Sequence, residues 1–490
     1  MNSIINKIVY FDRFLQTNNG LKTILIVIVL INSGLYINSL NTNYTSEEMR
    51  QDAAGFSPDK AHKFAYFYYY TGHFPLATLN ADLEYSKEGA DNEISERGSD
   101  LIMEYQHWSR LGEHARILAF LPNAYVKGSP ENPSIKLFNG IVFTLALLIL
   151  FFGFWNIKKP LIGFVLCFLV NFTPFFLYEI YSHENIFGLL GSVFFMILGL
   201  NIYMLFCESQ NFLKSILIAV LSGVIVGFFS EFRNEISIVI VSLVLMYLLS
   251  KRMKLVQKMI IILTAIFFFN SSKTFIRNEF NLKFEKTSQL VGIQGGHVYN
   301  GAKIIGHNFW HPVFCGLGDF DTKYGYQWYD IVAYKYAIPI LNKKYGMNIH
   351  YTQGKYYTDD YYDDAGLYYK KPEELKNYDN VLKEKVLSDI KRDPFWYISI
   401  LFKRVYETLT VTIPVPNVGL LLLPLVYFLI RRKTWGWLKV IVVSLPLSAT
   451  SIIVYSGKGT TYNSLFVYFV LIVIFSLLYE YLKKRSYVEG

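Results

Sequence analysis

The chain has 490 residues, of which 52% are hydrophobic and 17% are charged, and its net charge is +9. This apolar share is higher than in an ordinary soluble domain, and the apolar residues come in long blocks. The composition therefore excludes a soluble globular enzyme and predicts a polytopic helical membrane protein.

About ten apolar blocks are long enough, or nearly so, to cross a hydrocarbon core of roughly 30 Å. They cover residues 21–40, 137–155, 161–178, 186–207, 212–229, 236–250, 258–272, 416–430, 437–455 and 463–482. The first block lies too far into the chain for a cleavable signal peptide and is interpreted as a retained span. We predict an all-α fold with about 10 transmembrane helices, between roughly 9 and 12.

The distribution of Lys and Arg predicts the orientation, because basic residues concentrate on the cytoplasmic side. With both termini inside, the inner segments hold sixteen basic residues, whereas the short outer turns hold only Arg233 and Lys458. The inner ones are Lys7, Arg13, Lys22, Lys158, Lys159, Lys214, Lys251, Arg252, Lys254, Lys258, Arg431, Arg432, Lys433, Lys483, Lys484 and Arg485. This placement explains much of the positive charge, so we expect no nucleic-acid partner.

Two outer segments, 41–136 and 273–395, are too long to be simple connectors. They divide the chain into a transmembrane module at 1–272, which includes the first long loop, an outer loop at 273–395, and a C-terminal part at 396–490. Short helices are expected in both loops. The dipeptide Asp393–Pro394 should break the helix that ends the second loop and start an interfacial helix at Phe395.

Charged groups recur in three outer turns. "YSHENIF" carries His183 and Glu184, "SEFRNE" carries Arg233 and Glu235, and "SGKGTTYN" carries Lys458. Ionisable groups at the level of a membrane are a functional hypothesis by default, and the alternative is an ordinary solvated turn. Because these turns and both long loops open on one side, an enzyme would assemble its site there.

Several stretches in order along the chain resemble GT-C glycosyltransferases, a group that includes protein mannosyltransferases and the aminoarabinose transferase of lipid A. The first loop has "QDAAGFSPDKAHKFAYFYYYTGHFP", and the outer turns have "YSHENIFGLL" and "GFFSEFRNEISIVIVSLVL". The stretch "DPFWYISILFKRVYETL" is similar to the family's interfacial helix, and "SGKGTTYNSLFVYFVLIV" to its last outer turn and span. The chain departs from the family at Asp52–Ala53, where members often carry two adjacent acidic residues.

The resemblance implies transfer of a sugar, with inversion, from a polyprenyl-phosphate donor to a glycan, lipid or protein acceptor. The reaction would take place on the extracytoplasmic face of a bacterial inner (plasma) membrane. Asp52 is the candidate general base for the acceptor hydroxyl. The leaving lipid phosphate needs positive charge, for which the outer candidates are Arg233, Lys403, Arg404 and Lys458.

Further residues have roles that remain open. His183 and Glu184 either orient the acceptor or help to hold a divalent metal, Mg or Mn. A substrate groove could be lined by His73, Glu235, His307, Trp310 and His311. For the aromatic residues of the second loop, core packing is an equal alternative.

Two other classes of membrane protein compete with this interpretation. A polysaccharide polymerase or O-antigen ligase also has a large outer loop and a lipid-linked substrate, but it usually relies on Arg-rich loops. A lipid-linked sugar flippase or transporter would show charges in mid-span and duplicated halves, and the sequence shows neither.

Overall fold

The computed structural model describes the chain in separate stretches. These are residues 2–42, 68–70, 72, 136–171, 187–206, 211–231, 234–250, 253–293, 309–347, 350–352, 355–358, 361–363, 372–410, 417–455, 471–474 and 476–481. Within them the chain is predominantly helical, which confirms the helical part of the predicted fold.

Apart from the first helix, which precedes the first apolar block, the described helices of the first half follow those blocks. They are α1 (Asn2–Thr17), α2 (Asn19–Thr42), α3 (Lys136–Asn156), α4 (Pro160–Asn171), α5 (Phe187–Phe206), α6 (Phe212–Ser230), α7 (Val239–Leu249) and α8 (Leu255–Ile293). A 3₁₀ turn at Asn234–Ile238 precedes α7. The Asn211 side chain caps α6 by accepting hydrogen bonds from the amides of Leu213 and Lys214, which explains why the helix begins there.

Two described helices are long and apolar enough to cross a membrane: Phe212–Ser230, which is α6, and Leu255–Glu279, the first part of α8. A third span results if the bent pair Tyr10–Thr17 and Asn19–Ile31 is counted as one. The remaining apolar helices in the described stretches have 10–17 residues. These helices support membrane association, while the predicted number of about ten spans stays a prediction.

Helices α6 and α8 run parallel and in close contact. A Cβ atom at Gly227 of α6 would lie 2.3 Å from the carbonyl oxygen of Phe269 in α8, so only glycine fits there. One turn earlier, Gly223 faces Ala265 in the same way. Small residues that let two backbones approach are typical of helix packing in membranes. Because the helices are parallel, their C-terminal ends lie on the same side.

The second half contains shorter elements. Its helices are α9 (Trp310–Gly316), α10 (Asp330–Tyr345), α11 (Pro372–Arg392), α12 (Pro394–Leu409), α13 (Leu422–Arg431) and α14 (Trp435–Ser444), followed by a π-helix at Thr450–Val454. Short 3₁₀ turns lie at Lys323–Gly325, Val418–Leu421 and Leu445–Ser448.

A small antiparallel sheet departs from the predicted all-α fold. Its strands are β1 (His350–Thr352), β2 (Lys355–Thr358) and β3 (Tyr361–Asp363), in the order β1-β2-β3. The register pairs His350 with Tyr357, and Tyr356 with Asp363. Tyrosine and threonine favour strands, and successive strands are two residues apart, as in tight hairpins. The correction is confined to this tyrosine-rich stretch.

Helices α9 to α12 build a second hydrophobic core, separate from the larger core that the first-half helices share with α13 and α14. Among its largest fully buried side chains is Tyr326, whose ring centroid lies 4.7 Å from that of Phe314. The predicted break at Asp393–Pro394 is confirmed, because α11 ends at Arg392 and α12 begins at Pro394. Asp393 accepts a hydrogen bond from the amide of Trp396 at 3.0 Å and so caps α12.

Candidate functional site

The structure describes the side chains of four predicted site residues: Trp310, His311, Lys403 and Arg404. For Glu235 it describes only the backbone, in the 3₁₀ turn before α7. The remaining predicted residues lie outside the described residues: Asp52, His73, His183, Glu184, Arg233, His307 and Lys458. Their roles therefore stay predictions.

An ionic cluster lies where α6 ends, at the tip of the α6–α7 hairpin. Glu231, which directly follows α6, is fully buried. Both of its carboxylate oxygens accept hydrogen bonds from Nε of Arg277 at 3.0 Å, and Nζ of Lys273 lies 3.6 Å from Oε1. Lys273 and Arg277 are four residues apart, so they share one face of α8. We call Glu231, Lys273 and Arg277 the hairpin-tip cluster.

The hairpin-tip cluster holds more positive than negative charge. A buried carboxylate is tolerated only when it is paired and hydrogen-bonded, and two basic residues pair with Glu231. The side chain of Arg277 is 45% exposed. Within the described stretches, its two terminal amino groups have no hydrogen-bond partner. They form a fork that suits bidentate contact with an oxyanion.

Arg404 joins three segments of the chain. Its Nη1 donates hydrogen bonds to the carbonyls of Ile452 and Ile453 at 3.0 and 3.1 Å, at the end of the π-helix. Its Nη2 donates to the carbonyl of Gly316 at 2.6 Å and lies 3.3 Å from Oδ2 of Asp319. We call this arrangement the Arg404 clasp.

The Arg404 clasp is tightly packed. The Arg404 side chain is fully buried, and its Nε has no hydrogen-bond partner in the described part of the chain. Burial lowers its pKa, which the carboxylate of Asp319 opposes. A Cβ atom at Gly316 would lie 2.2 Å from the carbonyl oxygen of Val454, so glycine permits this approach. These contacts give Arg404 a positioning role, and its predicted phosphate contact stays a prediction.

The neighbouring Lys403 is exposed, unlike Arg404. Its ammonium group lies 5.4 Å from the centroid of the Phe320 ring, a cation–π distance. Adjacent residues on a helix point about 100° apart. Lys403 can therefore reach a ligand from a helix that Arg404 fixes in place.

His311 lies in the core of the second half. Its Nδ1 is 2.6 Å from the Tyr378 hydroxyl, and its Nε2 is 3.8 Å from Sγ of Cys315, one turn along α9. Its ring also packs 5.3 Å from that of Tyr334. His311 and Cys315 are both buried. These contacts favour the packing alternative for His311 over the predicted substrate groove.

Trp310 is half-buried at the edge of the same core. Its amide donates a hydrogen bond to Oδ1 of Asp379 at 3.3 Å, and burial raises the pKa of that carboxyl group. The ammonium group of Lys383 lies 6.0 Å from the indole centroid. Trp310 is thus less enclosed than His311, and its predicted contact with a sugar ring stays a prediction.

The break between α11 and α12 carries contacts that the sequence analysis missed. Nζ of Lys323 lies 2.6 Å from Oδ2 of Asp393, and the Tyr324 hydroxyl donates to the same oxygen at 3.2 Å. The ion pair lowers the pKa of Asp393 and raises that of Lys323. The indole of Trp396 donates to the carboxylate of Asp321 at 3.2 Å. The loop before α10 is therefore fixed to the start of α12.

A second carboxylate, one turn before the break, is more enclosed. Oδ2 of Asp389 accepts hydrogen bonds from the Tyr326 hydroxyl at 2.9 Å and from Nζ of Lys385 at 2.5 Å. Burial, and then the Asp389 carboxylate, raise the pKa of Tyr326. This phenol therefore remains a hydrogen-bond donor and helps to order the second core.

Within the described stretches, no three side chains of His, Cys, Asp or Glu converge in a way that could hold a metal ion. His183 and Glu184, which carry the predicted Mg or Mn site, lie outside those stretches. The metal therefore stays a prediction.

Comparison of the chain with protein-family models, with curated proteins and with solved structures gave no match.

Proposed function

We propose that this protein is an integral membrane glycosyltransferase. It transfers a sugar from a polyprenyl-phosphate donor to a glycan, lipid or protein acceptor on the outer face of a bacterial inner membrane. The observation that carries the proposal is the hairpin-tip cluster. It supplies surplus positive charge where two parallel helices, both apolar enough to cross a membrane, reach the ends of their apolar runs.

We infer that the cluster lies near the membrane surface, because it follows the apolar runs of α6 and α8. The polyprenyl chain of the donor stays in the hydrocarbon, so its phosphate lies near the membrane surface. Negative charge develops on that phosphate as the glycosidic bond breaks, and preorganised cations stabilise it. Arg277 suits this role because Glu231 occupies its Nε only, which leaves the terminal fork for a phosphate. The predicted Arg233 lies two residues after Glu231 in the sequence.

The second half supplies the other cations of the proposal. The Arg404 clasp holds α12 against the π-helix, which ends two residues before the first residue of the turn 456–463. Lys458 belongs to that turn. Lys403 is exposed on α12, which the clasp holds against the π-helix, and it is the second cation of the proposal. We propose that Lys403 and Lys458 act on the donor phosphate, with Arg404 as their positioning residue.

The proposed reaction is a single inverting displacement. The acceptor hydroxyl attacks the anomeric carbon while the carboxylate of Asp52 takes its proton. The bond between that carbon and the phosphate oxygen breaks, and the polyprenyl phosphate leaves with the electron pair. His183 and Glu184 orient the acceptor or, with Mg or Mn, would hold a metal that neutralises charge.

The experiment is a transfer assay with Asp52→Asn, using polyprenyl-phosphate sugars and purified protein in lipid vesicles. Loss of a general base should lower the rate by roughly 10²–10⁴-fold. Asp59→Asn is the matched control, because Asp59 follows Asp52 in the same predicted loop and has no role in the proposed reaction. Transfer at the wild-type rate by Asp52→Asn would disprove the assignment of the base.

The same vesicles test the function itself. If the wild-type protein transfers no sugar from any such donor but moves the lipid-linked sugar across the bilayer, the glycosyltransferase proposal fails. The protein would then belong with the flippases and transporters.

A further inference from the structure

The N-terminal helix α1 has two contrasting faces. Tyr10, Phe11 and Phe14 are 72%, 44% and 43% exposed, whereas Asp12 and Leu15 are fully buried. The rings of Tyr10 and Phe14, one turn apart, stack with their centroids 6.5 Å apart. An aromatic row therefore runs along the outside of this helix. The proposed glycosyltransferase site does not use it.

Asp12 fixes α1 to two distant parts of the chain. Its Oδ1 accepts a hydrogen bond from the amide of Leu161 at 3.3 Å, at the start of α4. Its Oδ2 accepts from Nε2 of Gln16 at 2.7 Å and from the hydroxyl of Tyr479. A buried carboxylate that caps another helix and meets a C-terminal residue holds α1 in one rotation about its axis. That rotation turns the aromatic row outward.

The orientation of α1 relative to α2 indicates what covers this row. Residues Tyr10–Thr17 meet Asn19–Ile31 at a bend of 91°. On α2, Ile24 and Ile31 are 53% and 56% exposed, so an uncovered apolar surface continues beyond the bend. If α2 crosses a bilayer, a helix at right angles to it lies in the plane of the membrane. The exposed Arg13 borders the aromatic row, and the exposed Lys7 lies at its N-terminal end, three residues before Tyr10. Basic residues beside an apolar face are typical of helices that lie in a phospholipid interface.

We propose that α1 binds the phospholipid surface as an in-plane helix. Its aromatic row would enter the boundary between headgroups and acyl chains, and Asp12 would act as its anchor. The partner is the lipid layer on the side of the molecule where α4 begins. If a protein partner covered the aromatic row instead, the row would lie in water whenever this chain is alone in a bilayer.

Nitroxide depth measurements on the full chain in vesicles of phosphatidylcholine and phosphatidylglycerol test this proposal. The label is placed by Phe14→Cys in a chain carrying Cys207→Ser, since Cys167 and Cys315 are buried, and the parent chain gives the background. Arg13→Cys is the matched control on the same helix, about 100° around its axis. The label at 14 should collide readily with oxygen and be several-fold protected from a water-soluble nickel reagent. The label at 13 should show the reverse.

Equal exposure of both labels to the nickel reagent would overturn the proposal. Tyr10→Cys on the same face repeats the measurement if Phe14→Cys does not fold. Adding Asp12→Asn should reduce the protection of the label at 14, because the bond to Leu161 weakens and the helix can turn. Unchanged protection would show that Asp12 is not the anchor. None of these outcomes depends on sugar transfer, so failure here is separate from failure of the proposed function.

Discussion

The guanidinium of Arg404 lies 3.3 Å from the carboxylate of Asp319, and water reaches little of either side chain. The same guanidinium donates hydrogen bonds to the carbonyl of Gly316, three residues before Asp319, and to carbonyls at the end of the π-helix. One residue of α12 thus connects the second hydrophobic core to the C-terminal part of the chain.

Arg404→Ala should destabilise the protein strongly. Removing one partner of a buried ion pair leaves the other uncompensated and costs roughly 3–5 kcal/mol. Here the loss also leaves the carbonyls of Gly316 and Ile452 without their donor. Thermal unfolding of the purified protein in detergent measures the effect. Lys403→Ala is the control, and a surface change of this kind should alter the free energy of unfolding by no more than about 0.5 kcal/mol. Similar melting of the two variants would disprove the structural role of the clasp.

Arg277→Gln should weaken the binding of a polyprenyl-phosphate donor. A hydrogen bond to a charged group contributes roughly 1.5–3 kcal/mol, which corresponds to at least about a tenfold rise in the KM for donor. Steady-state kinetics with the donor varied measure the change. Arg277→Lys keeps the charge without the fork and should lie between wild type and Arg277→Gln.

Lys286→Gln is the matched control for Arg277, because Lys286 is exposed further along the same helix. It should leave the KM for donor unchanged. A rise in the KM for acceptor alone in Arg277→Gln would assign the hairpin-tip cluster to the other substrate.

The Lys323–Asp393 pair should make stability depend on pH. The pKa of Asp393 is lowered in the folded state, so its contribution is present above the unfolded pKa of about 3.9 and is lost as the pH falls through the folded value. The pKa of Lys323 is raised, so its contribution is present below about 10.4 and is lost as the pH rises through the folded value. Asp393→Asn should therefore lose less stability than wild type on acidification below about pH 4.

Thermal melts of the wild type and of Asp393→Asn from neutral to acidic pH measure this difference. Lys323→Met removes the partner of Asp393, so its melting temperature should also fall less than that of the wild type as the pH is lowered. If the melting temperatures of all three proteins fall equally on acidification, other carboxylates control the acid transition.

Local rules explain which features could be predicted from the sequence. The break at Asp393–Pro394 follows from the steric conflict between proline and a preceding helical residue, which needs no knowledge of the rest of the fold. The apolar runs likewise predict α6 and the start of α8. The sheet at 350–363 was missed because its strands of three or four residues are too short to show a period.

Long-range contacts explain which features were missed. Arg277 lies within the range assigned to the outer loop, since hydropathy falls at residue 272, yet α8 continues to Ile293. Its partner Glu231 is 46 residues away in sequence, and only the crossing of α6 and α8 brings them together. For Arg404, the sequence predicted a phosphate-binding cation, but it could not show that carbonyls from three distant residues converge on it.

The 39 residues of α8 set a length scale for the molecule. At 1.5 Å per residue the helix is about 58 Å long, nearly twice the roughly 30 Å of a hydrocarbon core. If the apolar first part of α8 crosses the bilayer, the rest of this continuous helix extends beyond the membrane surface. The Ile293 end of the helix then lies well above the lipid, at a height fixed by the number of residues in α8. Inserting one residue in the polar half would move the Ile293 end of the helix by about 1.5 Å along its axis and turn it by about 100°.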